Sequence, residues 1–394
     1  MRKSSFARHD AAWRDPAQVA GLWDNAADVD PDLLAFKTYG DMPALLSELG
    51  ITLVVTREYE HVALALSCTG KKPEISYFRV PHPSGIAVDR RKGTVYLAST
   101  RNPNQVIEMK PAGAGLDRKD MPFPESLSGR LLPTRSWFFP GCLYTHDLAL
   151  VGKDLHAAAV GMNAIIKIDP SGDYDATWWP ACIDRKKGKP RFDRNYLQLN
   201  SIAAGRDMKT SFFSASAARV SKHLPGQPDF PVDRKGVIFS GKTREPVCRG
   251  LTRPHTARLR GKRLWVDNSG YGEVGIVSGA RLETVARLPG WTRGLSFCGS
   301  TAFVGTSRVL PRFRQYAPGL DLDRSECSVC AVDTRSGNVL GRIVWPHGNQ
   351  LFSVECVPAT LCTGFPWTRS ARSNKNMTEF FYAYQAGARK GKQG

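Results

Sequence analysis

The sequence predicts an all-β fold, a six-bladed β-propeller with circular closure, in which the N- and C-terminal strands share one blade. Short β-rich segments with period-2 alternation recur in sets along the 394 residues. Each set spans roughly 40 to 60 residues, a length that suits a four-stranded blade. Near the start lie three strands of a blade whose first, innermost strand is missing. Near the end, one segment with the pattern of a first strand stands alone. Joined, these remnants make a sixth blade and remove the open edges.

The chain divides into three predicted regions. Residues 1–44 form a polar or helical lead-in, residues 45–362 form the propeller, and residues 363–394 form a basic tail. A short helix is expected at residues 41–49. Asp41 is a suitable N-cap, Pro43 is tolerated in the first turn, and Gly50 signals the C-terminal end.

The strands follow in order, separated by turns that carry glycine and polar residues. The closing set joins residues 52–56, 62–67 and 75–80 to residues 351–357. The other five sets are predicted at residues 85–89, 94–100 and 105–110; 147–151, 155–160, 164–169 and 176–179; 201–204, 210–214, 236–240 and 246–249; 253–259, 264–268, 273–277 and 283–288; and 294–298, 301–305, 328–333 and 339–345. A pair of β-sandwiches would use similar strands, but it would not explain the complementary remnants at the two ends.

Composition limits the classes of partner and location. The formal net charge of +19 favours anionic metabolites, nucleic acid or a membrane surface as partners, with nucleic acid the weaker candidate. No apolar run approaches the roughly 18 residues of a membrane span, and no secretory apolar region follows the start. The 9 cysteines are scattered and odd in number, which indicates a cytoplasmic protein with reduced thiols. Cys327 and Cys330 form a C-x-x-C, but these two positions of a strand face opposite sides.

Propeller topology predicts a site at the mouth of the central tunnel, where first strands begin and second strands end. Counting two residues back from the first inward apolar position gives one tunnel-mouth residue per blade: Ser84, His146, Asn200, His255, Arg293 and Phe352. The ends of the second strands add Arg101, Asn163, Asn268, Ser269 and Arg308. Insertions at 215–235 and 307–327 should overhang this mouth as lids, whereas those at 111–141 and 180–197 have no predicted place.

These side chains permit two kinds of chemistry. His146 and His255 could act as a general acid–base pair near neutral pH, or they could bind a divalent transition metal with His82 as a third ligand. Alternation along the strands would point the neighbouring Asp147 and Asp267 away from the tunnel. Without a metal, Arg293 presents a planar fork for a carboxylate, phosphate or sulfate.

The ring motifs also resemble those of a known family. In order along the chain they are Pro83-Ser84-Gly85, Thr145-His146-Asp147, Leu199-Asn200-Ser201, Pro254-His255-Thr256 and Thr292-Arg293-Gly294. This order resembles an uncharacterised bacterial family of single-domain six-bladed propellers, a conserved domain of unknown function sometimes found beside tetratricopeptide-repeat modules. The resemblance covers roughly residues 45–360 and implies the propeller fold. His82 departs from the family pattern.

Three functional hypotheses follow from these observations. In the first, the propeller binds a small anionic ligand, or the acidic end of a peptide or glycan, at the tunnel mouth, with catalysis as an extension. The second is a metal-dependent enzyme that uses a histidine-lined axial site. The third is a non-catalytic interaction scaffold whose basic surface contacts a protein partner. Nucleophilic catalysis is disfavoured, because the sequence has no Gly-x-Ser-x-Gly elbow and no cysteine among the tunnel-mouth residues. The sequence also has no glycine-rich phosphate loop of the Walker or dinucleotide-binding type.

Overall fold

Six antiparallel sheets stand around a central axis in the computed structural model, which describes residues 29–69, 72–101, 104–113, 128–185 and 189–370 together with Ala7. The innermost strands of the six sheets contact one another in turn, and the last of them contacts the first. The ring is therefore closed, and the predicted six-bladed β-propeller is confirmed.

The blades follow the chain in order. From the axis outward, blade one contains β5 (Pro83–Asp89), β6 (Thr94–Ser99), β7 (Asn104–Pro111) and β8 (Leu131–Phe139); blade two β9 (Thr145–Val151), β10 (Asp154–Ala159), β11 (Ala164–Ile168) and β12 (Tyr174–Trp178); blade three β13 (Leu199–Ala203), β14 (Phe212–Ala215), β15 (Gly236–Ser240) and β16 (Pro246–Leu251); blade four β17 (Pro254–Arg260), β18 (Arg263–Asn268), β19 (Glu273–Ser278) and β20 (Arg281–Arg287); and blade five β21 (Trp291–Cys298), β22 (Thr301–Ser307), β23 (Ser328–Asp333), β24 (Val339–Val344) and β1 (Lys37–Gly40).

The sixth blade joins the two ends of the propeller. It contains β25 (Ser353–Pro358), β2 (Ile51–Arg57), β3 (Val62–Thr69), β4 (Lys72–Arg79) and β26 (Trp367–Thr368), again from the axis outward. β25 pairs with β2 from Ile51↔Pro358 to Thr56↔Ser353 without a break in register. The predicted circular closure is therefore confirmed.

Several elements extend or refine the predicted pattern. Helix α1 (Pro31–Leu34) precedes β1, helix α2 (Met42–Glu48) lies between β1 and β2, and Gly50 takes the left-handed conformation expected after a helix. β1 and β26 add outer strands to blades five and six. β8, which no predicted strand covered, comes from the insertion at 111–141 and forms the outer edge of blade one.

The hydrophobic core lies between neighbouring blades. It forms six clusters, and each draws its apolar side chains mainly from adjacent sheets. In one of them Ala87 and Tyr96 of blade one pack with Leu148 and Ala157 of blade two. All nine cysteines are free thiols, including the buried Cys327 and Cys330. Within the described ranges, no helix is long and apolar enough to cross a membrane.

A β-bulge recurs near the start of the inner strand in blades one to five. In blade two, for example, Thr145 pairs with Ala159 and Leu148 with Ala157, so that His146 and Asp147 together oppose Ala158. The same shift occurs in β5, β13, β17 and β21. A bulge breaks the strict alternation of side chains and re-aims them, and here it does so beside the axis.

Candidate functional site

The first residue of each bulge is the tunnel-mouth residue that the sequence predicts. These residues are Ser84, His146, Asn200, His255 and Arg293, and Phe352 stands directly before β25 in the closing blade. All six side chains are buried, with none more than 7% exposed. Because they come from different blades and meet near the axis, the fold brings together groups that are far apart in the chain.

Phe352 is the centre around which three of these groups pack. The ring centroids of His146 and His255 each lie 5.0 Å from that of Phe352, and the two imidazoles are 5.9 Å apart. The guanidinium carbon of Arg293 lies 4.7 Å from the Phe352 ring on one side and 4.9 Å from the Trp291 ring on another. Arg293 is therefore held in place by aromatic contacts.

A second tier of residues stands immediately before the inner strands of four blades. His82, Tyr144, Gln198 and Arg253 all have positive φ, between 45° and 54°. The left-handed conformation is uncommon for residues other than glycine and costs of order 1–3 kcal/mol, so it persists only where the surroundings impose it. Here it turns the chain into the inner strand, and the side chains of Tyr144, Gln198 and Arg253 line the space above the bulges.

That space is a cavity of about 820 Å³ at the tunnel mouth. His146, Arg293 and Phe352 are part of its lining, whereas His255 and Asn200 lie outside the lining, next to it. Both predicted lids contribute, through Pro225 and Gly226 and through the 3₁₀ turn at Pro311–Tyr316. Residues 192–195, from the insertion at 180–197, also line it. The expected positions of the lids are therefore confirmed.

The arginines near the axis fall into two classes. Arg57 is fully buried and pairs with Glu60 at 3.0 Å, and Arg258 pairs with Asp147 at 2.8 Å. Arg293 and Arg253 have no ion pair or side-chain hydrogen bond among the described residues, and Nε and Nη1 of Arg293 and Nη1 of Arg253 are buried without a partner. Burial lowers the pKa of both, that of Arg253 to about 10, and repulsion from Arg293 adds to the shift in Arg253. The cavity wall therefore contains two guanidinium groups with buried atoms and no ion-pair partner in the described structure, whereas Arg194 and Arg312 line the cavity at exposed positions.

The two imidazoles are neutral at pH 7. Burial lowers the pKa of His146 and of His255 well below the usual value, and the positive charge of Arg293 adds to both shifts. Nδ1 of His255 lies 3.1 Å from the Thr256 hydroxyl, which accepts a hydrogen bond from the Gly294 amide. Nε2 of His255 and Nδ1 of His146 have no hydrogen-bond partner in the part of the chain that the structure describes.

An ionic network links three blades across the axis, further along the inner strands than the bulge residues. Arg258 of blade four donates from Nη1 to Asp147 Oδ2 of blade two at 2.8 Å and from Nη2 to Oδ1 at 3.1 Å. It also lies 3.6 Å from Glu355 of the closing blade. The expectation that Asp147 points away from the tunnel was wrong, because Asp147 is the second residue of a bulge and the strict alternation is lost there.

Several predicted site residues hold the framework together. Ser84 donates to the Thr145 carbonyl, Ser269 donates to the Thr292 carbonyl, and Asn268 bridges the Thr252 amide and Glu273. Asn163 fixes the end of the 192–195 segment: its Nδ2 donates to the Arg194 carbonyl, and its Oδ1 accepts from the amides of Tyr196 and Leu197. None of these four side chains lines the cavity.

The remaining predicted residues differ in position. Arg101 lines the cavity, but it is already paired with Glu58 at 2.8 Å. Arg308 lies at a separate cavity beside the 307–327 insertion and donates to the Pro346 carbonyl at 2.6 Å. Asn200 donates to the Pro254 carbonyl at 2.8 Å, which leaves its Oδ1 buried without a partner.

A transition-metal site fits this donor set poorly. The described part of the chain contains no group of three or more His, Cys, Asp or Glu side chains placed to hold a metal ion. His82 stacks edge-on against His61 at 4.4 Å and is not part of the cavity lining. The unpaired charges of Arg253 and Arg293 would also repel a cation next to His146 and His255.

Sequence reasoning missed Arg253, Tyr144, Gln198 and Gln350, all of which line the cavity. The first three share one signal, namely a position directly before an inner strand. Arg253 precedes Pro254, which favours a turn followed by an extended segment. Gln350, whose Oε1 is buried without a partner, lies before β25, where the sequence pattern marks no special position.

Comparisons with known proteins agree with the fold. No curated protein matches the chain. Among solved structures, one chain of a nidogen–laminin complex is similar at 10% identity and a TM-score of 0.52, with 79% of this chain and 99% of that chain covered. A gluconolactonase from Xanthomonas campestris is similar at 14% identity and a TM-score of 0.47, with 77% and 87% covered.

At these levels of identity the likeness concerns the fold alone. Residues 40–364, which include all six inner strands, match the family described as Domain of unknown function (DUF4915). The chain therefore belongs to the DUF4915 family.

Proposed function

We propose that this propeller binds a small anionic ligand in the tunnel-mouth cavity, on the guanidinium groups of Arg253 and Arg293. One observation carries the proposal. The described structure gives carboxylate partners to Arg57, Arg101 and Arg258 but none to Arg253 and Arg293, whose guanidinium atoms are buried in the cavity wall. A buried charge is costly unless it is paired, so a bound anion would supply the missing partner.

A buried hydrogen-bond acceptor without a partner indicates which other polar groups the ligand has. Gln350 lines the cavity, and its Oε1 is a buried acceptor without a donor among the described residues. Hydroxyl or amide groups on the ligand would satisfy acceptors of this kind. The neutral imidazole of His146, which lines the cavity, can donate a hydrogen bond to the anion, and His255 lies directly next to the lining.

Aromatic rings line one side of the cavity and would contact the organic part of the ligand. Phe313 stacks with Tyr316 at 6.0 Å and with Tyr59 at 6.5 Å, and Trp291 lies 5.9 Å from Phe313. Arg312 and Arg253 lie over rings of this wall. Flat apolar surfaces beside charged groups are typical of pockets for small organic anions.

The free state of all nine cysteines fits the proposed cytoplasmic location.

Binding of sulfate, measured at constant ionic strength, tests the proposal. Sulfate should raise the melting temperature of the protein, and Arg293→Gln should abolish the rise, because the fork that binds the anion is lost. Ligand at 100 times its Kd stabilises a folded protein by about 2.7 kcal/mol, which a thermal scan detects readily.

The matched control is Arg308→Gln, which removes an arginine at the separate cavity. This variant should respond to sulfate like the parent protein. A rise that persists in Arg293→Gln, or no rise with any simple anion, would contradict the proposal.

A further inference from the structure

We infer that the ligand's anionic group is a phosphate monoester, which carries two negative charges at neutral pH. This inference rests on the proposed function and specifies its ligand class. Three features of the site lead to it: the number of unpaired charges, the directions from which the donors come, and the ionic network across the axis.

The charge count is the first feature. Two guanidinium groups, those of Arg253 and Arg293, lack a counter-ion in the described structure. They lie close enough for Arg293 to oppose the charge of Arg253. The charge of Glu58, a carboxylate of the cavity lining, acts on Arg293, but Oε1 of Glu58 already accepts from Arg101 and Thr100. A monoanion would balance one of the two positive charges, whereas a dianion balances both.

The directions of the donors are the second feature. Arg253 precedes the inner strand of blade four, Arg293 belongs to that of blade five, and His146 to that of blade two. Nη1 of Arg253, Nε and Nη1 of Arg293, and Nδ1 of His146 all lack partners among the residues described. Donors that approach from three blades suit the three terminal oxygens of a tetrahedral phosphate. A planar carboxylate would occupy a single arginine fork.

The ionic network across the axis, on the inner side of the cavity, is the third feature. Arg258, with Asp147 and Glu355, crosses the axis further along the inner strands than the bulge residues. The phosphate would therefore lie at the inner end of the cavity, and its ester substituent would extend outward between Tyr59 and Tyr316, beneath the lids. This orientation places the charged group on the buried arginines and the organic group on the aromatic wall.

Three matched probes test the charge and the shape separately. Phenyl phosphate, phenyl sulfate and benzoate share an aromatic ring, but their anionic groups are a tetrahedral dianion, a tetrahedral monoanion and a planar monoanion. Calorimetric titration at pH 7.5 should show phenyl phosphate binding at least about tenfold more tightly than either of the other two. Its advantage over phenyl sulfate should shrink as the pH falls below about 6, where the phosphate takes up its second proton.

Arg253→Asn is the informative variant, since asparagine tolerates the left-handed backbone of this position. It should still bind all three probes, but the preference for phosphate over sulfate should disappear with the second guanidinium. Thermal unfolding of the variant checks that it remains folded, and Arg308→Gln again serves as the control.

The outcomes separate the two proposals. Equal binding of phenyl phosphate and phenyl sulfate from pH 5 to pH 8 would overturn the phosphate inference while leaving small-anion binding intact. An Arg253→Asn variant that keeps the full preference for phosphate would overturn it in the same way. Failure of all three probes to bind would overturn the phosphate inference, and the same failure together with no response to sulfate would overturn the proposed function as well.

Discussion

At the scale of single residues, backbone geometry determines which side chains reach the axis. The five bulge residues and the four left-handed residues before the inner strands are positioned by the path of the chain, and neighbouring side chains then hold them. Thr256 shows how this works. Its hydroxyl accepts from the Gly294 amide and lies beside Nδ1 of His255, so one bulge supports both an imidazole and the next blade.

The bulge residues could be predicted from the sequence because each precedes the first inward apolar residue of a recognisable strand. Arg253 could not be found in this way, since a left-handed residue outside a strand leaves no periodic signal. The ion pair of Asp147 with Arg258 was also beyond prediction. It requires knowing that a bulge turns the aspartate inward and that two blades face each other across the axis.

Glu355→Gln should change how stability depends on pH. Burial raises the pKa of Glu355 to about 7 from an ordinary value of 4.5, so the folded protein retains this proton when the unfolded chain has lost it. The contribution of Glu355 to the free energy of unfolding is therefore fully present below about pH 4.5, and it is lost as the pH rises through about 7. Glutamine cannot ionise. The unfolding free energy of the variant minus that of the parent should therefore increase from about pH 4.5 to about pH 7 and then level off.

Chemical denaturation at several pH values measures this difference. The shifts of His146 and His255 act in the opposite direction, but they are present in both proteins and cancel. A difference that stays constant from pH 4.5 to pH 7.5 would show that Glu355 keeps its ordinary pKa.

At the scale of elements, the inner strands pack so closely that glycine is needed in two of the bulges. A Cβ on Gly85 would lie 2.4 Å from the Leu148 amide nitrogen, and one on Gly294 would lie 2.6 Å from that of Val354. Neighbouring blades therefore approach through backbone atoms near the mouth. Outer strands are less constrained. β8 has four exposed residues in succession, which is why its alternation was too weak to predict.

Gly294→Ala tests this close contact. The variant should lose roughly 2–4 kcal/mol of unfolding free energy, because the new methyl group meets backbone atoms of β25 that have no room to move. Gly261→Ala is the matched control, since Gly261 also has positive φ but nothing within 4 Å of its Cβ position. Equal losses in the two variants would mean that backbone conformation, and not the contact between blades, accounts for the effect.

At the scale of the whole molecule, two features tie the ring together. β25 pairs with β2 and joins the ends of the chain, and Arg258 links blades two, four and six across the axis. The first feature could be predicted because the strand remnants at the two ends are complementary in sequence. The second depends on distances across the tunnel, and the local pattern around Arg258 gives no sign of them.

Arg258→Met should destabilise the whole ring. The substitution leaves Asp147 and Glu355 buried without their cation, and breaking a buried ion pair in this way costs about 3–5 kcal/mol. The loss should appear as a lower denaturant midpoint for the propeller. Arg263→Ala, on the exposed start of β18, should stay within about 0.5 kcal/mol of the parent protein. Adding Asp147→Asn and Glu355→Gln to Arg258→Met should restore much of the loss. If it does not, the ion pairs are not what stabilises the ring.

The network around Arg258 also has a practical consequence for ligand discovery. Because Arg258 crosses the axis beyond Phe352, a ligand in the proposed orientation points its anionic end at this network and its organic end at the lids. In that orientation a compound immobilised through its anionic end would not bind, since the attachment would take the place of the contacts with Arg253 and Arg293. The same compound attached by its opposite end would leave its charge free to enter first. Affinity resins and fluorescent tracers for this protein should therefore carry their linkers on the part of the molecule furthest from the phosphate.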